Sequence, residues 1–389
     1  MVIVGGAVIG SSVAYWLTEL GYAGSVLVIE RDPSYARSST ALSASSIRLQ
    51  FSNPVNVKIS RFGVDFIRDF PRRMAPFYPG ATPPELGFRE HGYLYCCPPE
   101  GVDRAHALVE TQRAEGAQTV FLDRDALAAR FPWLETTDLG GATWGARDEG
   151  WFDSMGLLDG FRRGARARGV TYLTGEVTGI SRQNGRIAAV ALADGQSIAC
   201  GTLVNAAGPR AARLATMAGI ALPVEPRKRH TFVFASARPI PGRMPLVIDT
   251  SGVYVRPEGA QFLSGVAPEP DPAADYGDFD LDPALFEDRI WPALYHRIPA
   301  FDALRVGRGW VGHYAMNTLD ANALLGPHPE VDNLLFANGF SGHGLQQSPA
   351  VGRGIAEWIV AGRYLTLDLS DLSVARVTRG AAFLEQAII

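Results

Sequence analysis

The stretch from Val2 to Glu30 limits this chain more than any other. An apolar run, VIV, meets the turn GGAVIG, passes into SSVAYWLTELGY and returns as a second apolar run, VLVIE. A strand that enters a glycine turn and then a helix leaves backbone N–H groups at the positive end of the helix dipole, where a pyrophosphate is held. Gly5 makes the tight turn and Gly10 lets helix and strand lie close, so Ala7, Val8 and Ile9 border the phosphates. Glu30, about 20 residues further on, is spaced to take a ribose hydroxyl, with Arg31 beside it. Ala7 stands where a middle glycine is usual, and Gly6 next to it leaves the turn room to relax. A glycine fingerprint alone is also an ordinary strand-to-helix turn. Strand, helix, second strand and acidic residue together read as a dinucleotide site.

A nicotinamide-type domain would continue with evenly spaced strand and helix units, and this chain does not. It passes into RSSTALSASSIRLQFS (Arg37 to Ser52). Ser38, Ser39 and Thr40 can donate to phosphate oxygens, and the small residues through Ser45, Ser46 and Ile47 let backbone run close to a flat ligand. A Ser-rich surface loop is the plain alternative; Ile47, Leu49 and Phe51 alternate as a strand does. An amphipathic helix over Pro54 to Met74 follows, and proline-rich text from Pro71 to Pro84 marks a boundary. Beyond it the pattern predicts a strand at GYLYCC, a helix from Val102 to Glu115, a strand and short helix at TVFL and DRDALAARF, and a helix in MGLLDGFRRGARARG. One strand, VTYLTGEVTGI, contains Val177, and a hairpin turns at Asp194 and Gly195. LVNAAGP then returns as a buried parallel strand ending at Ala206, Ala207 and Gly208, so a domain is entered, left and re-entered.

From VEPRKRH to FLSGVAPE the text alternates as antiparallel strands, turning at Ser251–Gly252 and Glu258–Gly259. An acidic, proline-bearing loop and a helix from about Pro283 to Arg297 come next. The last motif, NLLFANGFSGHGLQQSPAVGRG, sets Gly339, Phe340, Ser341, Gly342, His343, Gly344, Leu345 and Gln346 before a helix expected to start at Ser348 and Pro349. Backbone N–H groups again converge on something that gains electron density, as a flavin ring does along its pyrimidine edge.

Composition excludes several classes. At 389 residues the chain can bury one large core or two moderate ones, and a net charge of −4 with mixed signs argues against nucleic acid. No apolar run is long enough for a membrane span, and with the first strand at Val2 no signal peptide is expected within this sequence. Three cysteines without metal or disulfide spacing fit a reducing, cytoplasmic setting and no metal site. Lys58 and Lys228 are the only lysines, so chemistry that needs an amine side chain has two candidates.

The opening stretch, STALSASSIRLQFS, LVNAAGP, VEPRKRH, DTSGVYVRPEG and the final motif together resemble the flavin-dependent D-amino-acid oxidase and sarcosine oxidase superfamily. Within it they are most similar to the group of FAD-dependent oxidoreductase domain-containing protein 1, associated in animal mitochondria with assembly of respiratory complex I. The resemblance covers essentially the whole length. It implies an α/β fold, α+β overall: an FAD-binding Rossmann-like domain of the glutathione-reductase type beside a substrate domain on a mixed or antiparallel sheet. The expected division is 1–80, 150–222 and 308–389 for FAD, and 81–149 and 223–307 for substrate.

Carried over residue by residue, the resemblance assigns Arg48 to the substrate carboxylate, with pyrophosphate or ion-pair contact as the alternative. The lysine that sarcosine oxidases keep in the glycine loop is replaced by Gln346, and the lysine over the flavin falls near Leu263. Tethering positions fall near His313 and Leu42, so the FAD is expected to be non-covalent. Tyr254 could hydrogen-bond the substrate or simply pack in the sheet. His313 and Tyr314 follow GRGW, where relatives line the pocket, and His343 lies in the glycine loop. Arg229 and His230 could reach the pocket, although Arg227, Lys228 and Arg229 together read as a solvated charge cluster.

The expected activity is oxidation of an amine or N-substituted amino acid, with electrons passing to a protein or quinone in preference to oxygen. A flavin-bearing assembly protein for a respiratory complex, or the flavin subunit of a multi-subunit opine or sarcosine oxidase with partner subunits, are the alternatives.

Overall fold

The computed structural model describes residues 1–387. The opening stretch folds as β1 (Val2–Val4), α1 (Val8–Glu19) and β2 (Leu27–Glu30). A six-stranded sheet runs in the order β18 (Leu324–His328), β19 (Val331–Asn338), β12 (Leu203–Asn205), β1, β2 and β8 (Thr171–Thr174). All neighbours are parallel except β18, which is antiparallel to β19. Val2 pairs with Leu27 on one side and Leu203 on the other, so the returning strand lies directly against the first. Strands buried on both faces read as continuous apolar runs. Ile3, Val28, Val204 and Leu335 pack under α1, α2 (Pro54–Met74), α5 (Ser154–Ala167) and α8 (Gly344–Ala361). Val2, Val4, Ile29 and Leu203 pack on the opposite side. There they meet α6 (Ala211–Met217) and the antiparallel meander β9 (Val177–Gln183), β10 (Arg186–Leu192) and β11 (Ser197–Ala199).

Glycine makes this packing possible at a few points. Gly5 has φ +99°, and a Cβ there would lie 2.3 Å from the Ala206 carbonyl oxygen; a Cβ on Gly10 would lie 1.9 Å from that of Gly5. α1 and α8 approach at backbone distance, where a Cβ on Gly352 would sit 2.1 Å from Ser12 Oγ and that hydroxyl donates to the Ser348 carbonyl at 2.7 Å.

The second layer is an eight-stranded mixed sheet in the order β17 (Leu304–Asn317), β13 (Val224–Ser236), β16 (Gln261–Val266), β15 (Tyr254–Glu258), β14 (Leu246–Ile248), β4 (Tyr93–Cys97), β6 (Gly141–Gly145) and β5 (Thr119–Asp123). Only the β4–β14 pair is parallel. Leu94, Phe232, Phe234, Val247 and Val255 form its apolar face with α4 (Arg124–Arg130) and α7 (Trp291–Arg297), while α3 (Val102–Ala114) packs beside β5. The expected boundary at 307/308 falls inside β17, all of which belongs to this sheet. α9 (Ala375–Arg379) follows the last long helix.

Three local expectations are corrected. VTYLTGEVTGI is two strands: the Gly175 N–H bonds to the Glu30 carbonyl, and β8 and β9 then part into different sheets. The final helix begins at Gly344, so Ser348 and Pro349 lie within it. Proline is tolerated there because Ser348 Oγ donates at 2.8 Å to the Leu345 carbonyl, which Pro349 has no N–H to reach. Of the alternating run after Ser45, only β3 (Ser46–Ile47) is a strand, paired with β7 (Gly150–Trp151); residues 47–51 are all buried, so their alternation separates no two faces. The helix expected from about Pro283 to Arg297 is present: residues 284–297 are helical throughout, with a wide, π-helical turn at Phe286–Ile290 leading directly into α7.

Gly352→Ala is expected to lower unfolding free energy by about 1–3 kcal/mol, as overpacking of a helix contact does. Gly201→Ala, with nothing within 4 Å of the added carbon, should leave it unchanged or raise it by about 0.5 kcal/mol. Urea denaturation of the two variants checks the contrast.

Candidate functional site

A cavity lies between the six-stranded sheet and the polar face of the eight-stranded one, and two helix N-termini open on it. At α1 the N-cap is Ala7, with no side-chain cap and no acidic residue in the first turn; Val8 N–H reaches Thr40 Oγ1 at 3.3 Å. At α8 the N-cap is His343, again without a side-chain cap or first-turn acid. Helix starts with uncapped donors attract electron-rich groups. Two such starts on one cavity suit a ligand with an anionic linkage at one end and an electron-accepting ring at the other. Glu30 is fixed at the wall, its carboxylate accepting from Gly6 N–H at 2.7 Å and Asp32 N–H at 2.9 Å.

Most of the residues singled out from the sequence line this cavity. Around the first turn these are Gly5, Ala7, Val8, Ile9, Glu30 and Arg31. Ser38, Ser39, Thr40, Ser46 and Arg48 follow from the Ser-rich run, and Val177, Ala206, Ala207 and Gly208 from the middle of the chain. Tyr254, His313 and Tyr314 come from the second sheet, and Phe340, Gly342, His343, Gly344, Leu345 and Gln346 from the last turn. Gly10, Ser45, Ile47, Gly339 and Ser341 are off the wall. Gly10 is pressed on Gly5, Ile47 is fully buried, and Ser341 Oγ accepts from Asn317 N–H at 2.9 Å. Leu263 is also off the wall, buried in β16, and His230 is buried with neither ring nitrogen hydrogen-bonded among the described residues.

Arg48 is buried. Its Nη2 lies 3.0 Å from His343 Nε2, and the guanidinium also donates to the carbonyls of Gln50 and Ala387 over the Phe51 ring. A guanidinium only donates, so Nε2 accepts and His343 is neutral with its proton on Nδ1. Burial, and then the charge of Arg48, push His343 down to about 3. Gln346 Oε1 accepts the Arg48 backbone N–H at 2.8 Å and so ties this segment to α8. Burial pushes Tyr254 up to about 12 and raises Tyr314, against whose ring Gly342 packs so closely that a Cβ would lie 2.4 Å away. His313 Nε2 bonds the Asp278 carbonyl at 2.6 Å, and its ring stacks on Phe279 at 4.3 Å.

Sequence reasoning missed several wall residues. Arg37, Arg210 and Arg213 border the same end as Arg31, and Tyr93 and Thr231 complete the polar sheet face. For Arg210 and Arg213 a signal existed, since they follow the Gly208–Pro209 turn. The charge cluster is not simply solvated: Arg229 lines the cavity, pairing with Asp271, and Lys228 pairs with Asp278. Glu149, outside the wall, was also missed. Its carboxylate accepts from Leu49 N–H at 2.7 Å and Gln50 Nε2 at 2.9 Å, and burial raises it to about 8. It thereby fixes the segment that carries Arg48. Among the described residues no cluster of His, Cys, Asp and Glu could hold a metal, and no helix is long and apolar enough to cross a membrane.

Residues 1–358 match the family described as FAD dependent oxidoreductase. FAD-dependent oxidoreductase domain-containing protein 1 of Xenopus laevis is 39% identical over 423 aligned residues, covering 100% of this chain and 84% of the relative. Mitochondrial sarcosine dehydrogenase of Homo sapiens is 27% identical over 378 residues, covering 93% of this chain and 40% of that protein. The crystal structure of L-proline dehydrogenase from P. horikoshii superposes with a TM-score of 0.86 at 26% identity, covering 98% of each chain.

A carboxyl raised from 4.5 to about 8 binds its proton more tightly folded than unfolded. Its stabilising contribution is complete below the unfolded value and is lost as pH rises through the folded one. Between pH 5 and 9 the wild type should therefore lose about 2–5 kcal/mol relative to Glu149→Gln. Urea unfolding of both proteins across that range checks the sign.

Proposed function

The chain belongs to the FAD dependent oxidoreductase family, and from that premise we propose that it oxidises the C–N bond of a secondary or N-substituted amino acid, with non-covalent FAD as the bound oxidant and an acceptor other than oxygen. One observation carries the reading: two uncapped helix starts, from opposite ends of the chain, open on one cavity whose far wall is a sheet face of tyrosines and arginine. Gly5, Ala7, Val8, Ile9 and Ser38 to Thr40 would hold the pyrophosphate, Glu30 and Arg31 the ribose, and Gly342 to Gln346 the ring. When bound, the flavin supplies the site that accepts a hydride from the carbon beside nitrogen.

The protein's own groups suit positioning better than proton abstraction. Tyr254 and Tyr314 stay protonated at neutral pH, and His343 has its basic nitrogen occupied by Arg48. No strong base therefore faces the substrate from these residues. An amine that arrives neutral can push its own electron pair toward the departing hydride, and the wall then orients it and keeps water out. Arg48 would orient the reacting end through His343 and the glycine turn. His313 has Nε2 engaged and its ring stacked, which supports non-covalent FAD. The cavity wall holds no lysine among the described residues, and both lysines pair elsewhere, which supports an acceptor other than oxygen. Sarcosine and proline, the substrates in the names of two similar proteins, both carry a secondary amine beside a carboxylate, and both proteins are dehydrogenases.

Anaerobic mixing of the flavin-loaded protein with N-methyl, cyclic and opine-type amino acids should bleach the flavin with at least one class, and added quinone or dye should restore the colour faster than air. No bleaching across the panel, with a flavin that dithionite still reduces, would overturn the reading in favour of a flavin-bearing interaction protein. Arg48→Ala should slow bleaching by about 100-fold with FAD retained; equal loss of FAD would assign Arg48 to the cofactor.

A further inference from the structure

A second guanidinium reaches the cavity from the sheet side. Arg229 and Thr231 lie on the cavity face of β13, while Phe232 belongs to the apolar core. The Arg229 side chain is only 11% exposed, and its guanidinium carbon lies 4.7 Å from the centre of the Tyr314 ring, which packs on Gly342. Arg229 is thus one aromatic ring away from the glycine turn at the start of α8. Its two Nη atoms donate to the carboxylate of Asp271, each at 2.9 Å, and Nη1 also donates to the Lys228 carbonyl at 2.8 Å. Nε is buried and has no acceptor among the described residues. Burial raises the Tyr254 and Tyr314 phenols, and the nearby charge of Arg229 opposes that rise without cancelling it.

Asp271 comes from the acidic loop, residues 267–282, that joins β16 to the wide turn before α7. This loop borders the cavity through Tyr276 and Phe279. Its fastenings are mostly polar: Asp271 on Arg229, Asp278 on Lys228 at 2.7 Å, Ala274 N–H on the Pro226 carbonyl at 2.8 Å, and the stack of Phe279 on His313. None of residues 269–280 belongs to an apolar core cluster among the described residues. An ion pair between a loop carboxylate and a cavity arginine can be exchanged for an equivalent pair with a ligand carboxylate, because the incoming group offers the same bidentate geometry. Arg48 offers no such exchange, since its partners are carbonyls and an imidazole held by the fold.

We infer that Arg229 is the carboxylate anchor of the substrate chamber and that Asp271 is its resident counter-ion, released with the loop when an amino-acid carboxylate takes the guanidinium. This rests on the reading of the cavity as an FAD site for an amino-acid substrate. It adds a gate to that reading: the loop over the cavity opens for anionic substrates and stays fastened against neutral amines.

Anthranilate, a carboxylate with a neighbouring amine and no hydride to give, serves as the probe, with the flavin absorbance shift of the loaded protein as readout. Removing the competitor in Asp271→Asn should tighten anthranilate binding by about tenfold, and Arg229→Gln should weaken it by at least about tenfold with FAD retained. Asp278→Asn loosens the same loop without freeing Arg229 and should stay within about twofold of wild type. Anthranilamide, lacking the charge, should gain nothing from Asp271→Asn. Unchanged or weaker anthranilate binding in Asp271→Asn, wild-type binding in Arg229→Gln, or equal tightening in Asp278→Asn would each overturn the inference in a protein with full flavin content. Loss of flavin from the wild type would overturn the underlying reading and the anchor with it.

Discussion

The contact between α1 and α8 is what the rest of the molecule depends on. Ser12 and Gly352 meet there with no room for a methyl group, and the Ser12 hydroxyl closes on the Ser348 carbonyl. Each helix follows a glycine turn, and neither N-cap residue, Ala7 or His343, makes a side-chain cap. Because the helices are locked side by side, both turns open on the same cavity, and two partial positive charges from residues more than 300 apart in sequence face one space. A loose contact would let the turns diverge, and neither alone distinguishes a cofactor cradle from an ordinary helix start.

The second sheet gives this cradle a wall of a different kind. Tyrosines, a threonine and Arg229 face the cavity, while the opposite face of the same strands is apolar and buried under α4 and α7. The titratable groups nearest the glycine turn are held in their neutral forms, His343 by burial and Arg48, and the phenols by burial. Of the arginines on the cavity wall, Arg48 and Arg229 are the two that lie against the glycine turn, Arg48 at His343 and Arg229 on the Tyr314 ring. One is fixed by carbonyls of the fold, and the other is balanced by a carboxylate on a loop. That division separates a permanent charge, which orders the site, from an exchangeable one.

How much of this could be read from the chain follows from the range of the interactions. The first turn, the long helix Pro54–Met74 and the returning strand Leu203–Asn205 are set by local glycine geometry and apolar period, and they fold as read. The start of α8 was misplaced because Ser348 and Pro349 imitate a cap, whereas the hydroxyl in fact repairs a missing hydrogen bond inside the helix. The split of β8 from β9 depends on the Glu30 carbonyl, well over a hundred residues away, which no local pattern contains. At the site, wall residues on glycine turns were legible because their backbone makes the cavity. Glu149, the pairing of Arg229 with Asp271, and Glu385, which accepts from Ser52 and Asn53 at the start of α2, were not. Their partners are brought together by the meeting of two sheets or by a distant chain segment, and a charged residue in a loop looks solvated until that partner is placed.

The central claim is that both ends of the chain hold one flavin nucleotide without a covalent bond. Acid precipitation of the purified, FAD-supplied protein, followed by analysis of the supernatant, tests it most directly. The account predicts one equivalent of released FAD per chain and a colourless pellet. A protein that takes up no FAD, or a flavin that stays with the pellet, would contradict it.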